Sequence, residues 1–165
     1  MIARTPRESR RAAVASWISL VVRLSLGGVF LTAGGLKVID PQGSVQAVRA
    51  YQLLPRPLET LVGWGLPFLE IALGLLLVAG LFTRVVALAS AALLGALLAA
   101  VISVAARGLS IDCGCFGGGG AVAEGQATYG TEIVRDLGFL VLAGWLIWQP
   151  RSRYSLDRSH DEDNA

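Results

Sequence analysis

Long apolar runs separated by short polar segments set the plan of this chain. Four stretches, 12–36, 59–82, 85–106 and 131–149, are long and mostly apolar, and a membrane-spanning helix needs about 20 such residues. The third has no charged residue, so it lacks the polar stripe that a helix of a soluble core shows every 3.6 residues. The pattern predicts an all-α fold, an integral membrane four-helix bundle. Between the first two runs, Asp40 and Pro41 make a turn and Ser44 is placed to cap a helix, while Val45, Val48 and Tyr51 recur near one helical turn. A short outer interfacial helix is expected there, ended by Pro55 and Pro57. The second and third runs are joined so closely that they form an antiparallel hairpin. The domain plan is a basic N-terminal tail (1–11), a transmembrane domain (12–149) with outer loops at 37–58 and 107–130, and a polar tail (150–165).

Composition agrees with the pattern. Hydrophobic residues make up 54% of the chain and charged residues 16%, against roughly 45–50% and about 25% in soluble domains. With four helices in 165 residues, no length remains for a separate soluble catalytic domain, and no nucleic-acid partner is expected. The net charge of +2 decides little, but the placement of cations decides orientation. Four crossings put both termini on one side, together with Arg4, Arg7, Arg10, Arg11, Arg84, Arg151, Arg153 and Arg158. The opposite loops hold Lys37, Arg49, Arg56 and Arg107. The expected location is the bacterial cytoplasmic membrane, with both termini cytoplasmic. The first helix has the basic start of a signal peptide, but its apolar run is too long and no small-residue cleavage site follows.

The chemistry is concentrated in loop 107–130, where Asp112-Cys113-Gly114-Cys115-Phe116-Gly117 precedes three more glycines. It contains both cysteines of the chain, on the predicted extracytoplasmic side, where disulfides form and persist. A disulfide wants its two Cα atoms about 5.5–6 Å apart, closer than residues i and i+2 of an extended strand, so the backbone must bend at Gly114. A bond closed across one residue is strained, which favours exchange over permanence. An inert loop disulfide and a soft-metal site are the competing readings. Two thiolates without histidine do not complete a zinc site, so no metal is expected, and the one histidine, His160, stands in the polar tail.

A second group comprises the charges within or beside the apolar runs. Counted inward from the cytoplasmic ends, Arg23 and Glu70 lie about 15 and about 18 Å deep, close enough in depth to pair across the first two helices. Arg135 and Asp136 mark the outer edge of the fourth run, and Lys37 that of the first. The readings are a helix clamp or interface marker on one side, and on the other a proton path or polar contact to a quinone through Arg23, Lys37, Glu70 and Arg135.

The order of these residues resembles the MauE (methylamine utilisation) family of bacterial membrane proteins, within the wider DoxX-like group. The matching positions are Arg23, Leu26-Gly27, Phe30, Ala33-Gly34 and Lys37; Tyr51-Gln52-Leu53-Leu54-Pro55; Pro67, Glu70 and Gly74; then the Cys-Gly-Cys-Phe-Gly segment and Arg135. The resemblance implies a four-helix membrane protein that accompanies a thioredoxin-fold partner, serves maturation of a disulfide-rich client such as methylamine dehydrogenase, and is associated with quinone-linked redox metabolism. The chain departs from the two-pair cysteine relays of DsbB and vitamin K epoxide reductase in having a single Cys-x-Cys pair. The expected function is thiol-disulfide exchange through Cys113 and Cys115, as a membrane oxidoreductase. The alternative is a non-catalytic assembly factor whose cysteines are structural.

Overall fold

The computed structural model describes residues 6–123 and 127–149. Most of the N-terminal tail's side chains, residues 124–126 and the tail 150–165 with His160 lie outside the described residues. The chain is mostly helical: α1 (Pro6–Ile39), α2 (Pro41–Ala50), α3 (Arg56–Ala79), α4 (Thr83–Ala106) and α5 (Tyr129–Trp148), with β1 (Ile111–Asp112) and β2 (Gly120–Ala121) between α4 and α5. Among the described residues three helices, α1 over Ala13–Ile39, α3 and α4, are long and apolar enough to cross a membrane. The fourth long helix, α5, is a different case. Glu132, Arg135 and Asp136 occupy its first two turns, so its apolar part begins only at Leu137.

The helices pack pairwise, α1 on α3 and α4 on α5, with α1 also touching α5 and α3 joined to α4 through a tight turn. Gly80 ends α3 in the left-handed region (φ 70°), its N–H returning to the carbonyls of Leu76 and Leu77. One apolar cluster, built on Leu26, Phe30, Leu77, Ala87 and Leu146, joins the four long helices. A second, of Tyr51, Val101, Val104 and Ile111, closes the end that carries the cysteines.

The predicted short helix exists as α2, but its capping differs from expectation. Asp40, not Ser44, is the N-cap: its Oδ1 accepts the Gly43 N–H at 2.9 Å, and Pro41 fills the first turn, where no amide donor is needed. Ser44 is buried and donates instead to the Gly63 carbonyl on α3 at 2.8 Å. Pro55 and Pro57 do not end α2; they open α3, as its N-cap and within its first turn. Because Pro41 disfavours helical geometry at Asp40 (φ −124°, ψ 79°), the chain kinks there, and α2 then follows α3 along the path begun by α1. The β1–β2 hairpin was not anticipated by the all-α reading. It pairs Ile111 with Ala121 and Asp112 with Gly120, so residues 113–119 form its loop.

Close contact between α1 and α3 depends on small residues. A Cβ built on Gly34 would stand 2.7 Å from the Pro67 carbonyl oxygen, which belongs to backbone and cannot turn away. Replacing Gly34 with valine is therefore expected to lower stability by about 1–3 kcal/mol through overpacking. Thermal unfolding in detergent checks this: a midpoint equal to that of the parent would show that the two helices can separate without loss.

Candidate functional site

The register set by Gly34 decides which charges meet. Gly34 faces Pro67 and Glu70, while Gly27, two turns earlier, faces Gly74, Leu77 and Val78. Lys37, one turn beyond Gly34, reaches Glu70: Nζ and Oε1 are 2.5 Å apart, with both side chains buried. Arg23, one turn before Gly27, is carried toward the last turn of α3. The expected Arg23–Glu70 pair is replaced by Lys37–Glu70. Depth counting failed because α1 begins at Pro6 rather than residue 12 and α3 ends at Ala79, which slides one helix against the other.

Two charges removed from water together depend on each other. Deleting one partner of a buried pair costs roughly 3–5 kcal/mol, whereas replacing both with apolar groups is often neutral. Lys37→Met is thus expected to destabilise the fold by about that amount, and Lys37→Met with Glu70→Leu to recover most of it. Unfolding of the two variants side by side decides the matter; a double variant no more stable than Lys37→Met would mean that the loss does not come from stranding Glu70.

The cysteine loop lies where α2, β1 and α5 converge. Gly114 has φ 66°, the bend expected between the two cysteines, and a Cβ there would meet the Ala47 methyl of α2 at 2.7 Å. Glycine is required twice over, by the left-handed backbone and by contact with α2. On the other flank, Gly117 lies against Leu36, next to Lys37. Tyr51 at the end of α2 donates its hydroxyl to the Cys113 carbonyl at 3.1 Å, and burial, reinforced by the nearby sulfurs, pushes its phenol well above the usual range, so it remains a donor. Tyr51 is held in turn by Arg107, whose guanidinium donates to its carbonyl at 2.6 Å. Arg107 therefore braces the loop through Tyr51. The Tyr129 hydroxyl donates to the Leu109 carbonyl and accepts the Ile111 N–H, tying the start of α5 to β1.

Both cysteines are free thiols, and they are not equivalent. Cys113 Sγ accepts hydrogen bonds from the Cys115 backbone N–H at 3.4 Å and the Arg135 guanidinium at 3.7 Å, with the Cys115 thiol next to it. These contacts pull the Cys113 thiol below the ordinary range against the opposing effect of burial. Cys115 moves the other way, pushed up by its contact with Cys113 and by partial burial. Arg135 lies over the Phe116 ring at 5.1 Å from its centre and pairs with Asp136 at 3.2 Å, so its position is fixed from three directions.

Oxygens of Asp112 and Glu132 lie within 4.8 Å of Cys113 Sγ and of one another. Asp112 is exposed and its Oδ1 already accepts the Gly114 N–H, and Arg135 opposes a cation at the same sulfur. We assign no metal to this trio. Glu132 was missed in the sequence, although Glu132, Arg135 and Asp136 stand three and four residues apart on one helical face, a signal that was there to be read. The four residues expected to serve a quinone do not converge: Arg135 joins the cysteines, Lys37 and Glu70 pair with each other, and Arg23 lies toward the far end of α3. No step below runs through a quinone.

The family described as Methylamine utilisation protein MauE matches the chain over residues 15–149. The chain belongs to the MauE family. The match takes in α3, α4, α5 and the cysteine loop, with all of α1 from residue 15, and membership suggests a membrane protein in methylamine utilisation. A comparison with curated proteins returns no match, and neither does one with solved structures. In this MauE chain the asymmetry of the cysteine pair has a direct chemical consequence, because the thiolate is the reactive form. Near neutral pH, Cys113 in a Cys115→Ser variant is expected to alkylate at least about tenfold faster than Cys115 in a Cys113→Ser variant, and adding Arg135→Met to the former is expected to slow it. Rates with iodoacetamide measure this; equal rates would remove the asymmetry.

Proposed function

We propose that the chain is a membrane thiol-disulfide exchange protein whose Cys113 attacks and whose Cys115 resolves, acting on an extracytoplasmic thioredoxin-fold partner. The observation that carries this reading is the unequal environment of the two sulfurs, with the Cys115 backbone N–H and the Arg135 guanidinium both donating to Cys113 Sγ. Cys113 thiolate attacks a disulfide of the partner, forming a mixed disulfide and releasing the partner's second sulfur as thiolate. Cys115 then attacks Cys113 Sγ, closing the Cys113–Cys115 disulfide and freeing the partner's remaining thiolate. Two electrons pass to the partner and the dithiol is oxidised; the same steps in reverse oxidise the partner.

In this reading α5 is the fourth crossing, with residues 137–148 in the apolar layer and its charged first turns at the surface beside the loop. Both termini are then cytoplasmic with most of the cations, and the cysteines face the compartment where disulfides persist. Phe116, 38% exposed beside Cys115, is available for contact with a partner.

Trapping in intact cells tests orientation and function together. Cys115→Ser is expected to accumulate a mixed disulfide with a smaller secreted protein, Cys113→Ser is not, and a membrane-impermeant maleimide is expected to label the parent from outside only after reduction. If neither variant captures a protein and maturation of clients continues without the thiols, the chain acts as an assembly scaffold instead.

A further inference from the structure

Glu132 stands apart among the charged groups of the cysteine end. It lies in the first turn of α5, is 7% exposed, and its Oε2 has no hydrogen-bond partner among the described residues. A buried carboxylate oxygen left unsatisfied is costly, and a site tolerates it where the oxygen has a proton to receive. The nearest thiol is that of Cys113: a Glu132 carboxylate oxygen lies within 4.8 Å of Cys113 Sγ.

We propose that Glu132 is the proton acceptor of Cys113, so that thiol and carboxylate share a single proton and a single negative charge. This deepens the thiol-exchange reading and rests on it. The other charged or titratable groups around the pair are engaged or remote in role. On α5, Arg135 donates to the sulfur and pairs with Asp136. On α2, Tyr51 donates to the Cys113 carbonyl. In β1, Asp112 accepts the Gly114 N–H, and in the loop the Cys115 thiol keeps its proton beside Cys113. When Cys113 attacks, its proton passes to Glu132, and the thiolate stands between a neutral carboxyl group and the Arg135 guanidinium. The net charge of the cluster is unchanged, so no new charge is created in a half-buried place. When a disulfide at Cys113 is reduced and its sulfur leaves as thiolate, Glu132 returns the proton. An ionised Glu132 facing a thiolate would be the unfavourable state, and sharing avoids it.

Two coupled groups titrate in two steps that belong to the pair. In the Cys115→Ser chain, purified in detergent, the iodoacetamide rate of Cys113 is expected to rise in two steps with pH. The lower step is the state in which Glu132 holds the proton, and the upper is loss of the second proton. Glu132→Gln is expected to abolish the lower step and move the remaining one below the parent's upper step, because the carboxylate charge opposing the second ionisation has gone. Glu132→Asp is expected to keep both steps, and it serves as the test if the glutamine variant fails to fold. A single step in the parent, a glutamine profile indistinguishable from the parent's, or loss of the lower step in the aspartate variant overturns the proposal. Protection of Cys113 by one equivalent of zinc, reversed by chelation, also overturns it, since the trio would then be a metal site. This readout needs no partner, so a proton shared in a chain that never forms a mixed disulfide would separate failure of the exchange reading from failure of this one.

Discussion

Lys37 and Glu70 leave water together, and the geometry of the cysteine end follows from the place where they do so. A charged side chain in the apolar layer costs at least about 2.5–3.5 kcal/mol on insertion scales, so neither residue is tolerable there alone. Their pairing selects one register of α1 against α3, and Gly34 lets the two backbones come close enough for it. Once that register is set, the end of α1 lies at a fixed level, Pro41 breaks the helix, and α2 continues against α3 through the Ser44–Gly63 bond and the Arg49–Glu59 pair. Leu36 and Ala47 then form the two surfaces against which the glycine-rich loop lies. The loop contributes backbone alone at Gly114 and Gly119, so its shape is imposed by neighbours more than by its own side chains.

The charged beginning of α5 follows from the same logic with a different result. Glu132, Arg135 and Asp136 disqualify the helix as a simple span by composition, which would be a liability if those residues faced lipid. They face the loop. Arg135 offers a hydrogen bond to Cys113, stacks on Phe116 and pairs with Asp136, while Glu132 and Asp136 are buried. Apolar length has been given up to set a cation and carboxylates beside two thiols. Tyr51 and Arg107 add a brace from α2 and α4, so three helices outside the loop hold Cys113 in position.

Reading the chain from its sequence succeeded where one residue type has one physical use. Apolar length located the long helices, Pro41 located the start of α2, and a glycine between two cysteines located the bend at Gly114. It failed where the outcome depends on how helices slide past one another. Lys37 and Glu70 were both singled out, but depth counting from assumed helix ends assigned Glu70 to Arg23, and an error of a few residues at each end exceeds the reach of a side chain. Ser44 was a sound candidate cap by propensity, but its hydroxyl had a buried carbonyl to satisfy on α3 and Asp40 was free to cap. The hairpin was invisible because two-residue strands of Ile-Asp and Gly-Ala carry no alternation to read. Glu132 was legible in principle from its spacing to Arg135 and Asp136, but only once α5 was known to turn that face to the loop.

The chain has two cysteines and no more, which constrains any cycle of thiol exchange. Proteins that pass electrons along a relay separate the pair that meets the client from the pair that meets the electron carrier, and the two can be occupied at once. Here one pair must do both. After one exchange Cys113 and Cys115 are in the wrong oxidation state for a second client of the same kind, and they stay so until a different partner resets them at the same loop. Under the proposed exchange two partners would visit one surface in turn, which rewards a site that is compact, accepts either oxidation state without a change in charge, and binds neither visitor tightly. The left-handed bend at Gly114 keeps both sulfurs on a short loop. The proposed sharing of a proton between Cys113 and Glu132 would let the thiolate form without altering the local charge. Phe116, with Arg135 over its ring, offers one modest apolar contact beside the sulfurs rather than an extended interface. A small site of this kind suits successive brief encounters better than a lasting complex.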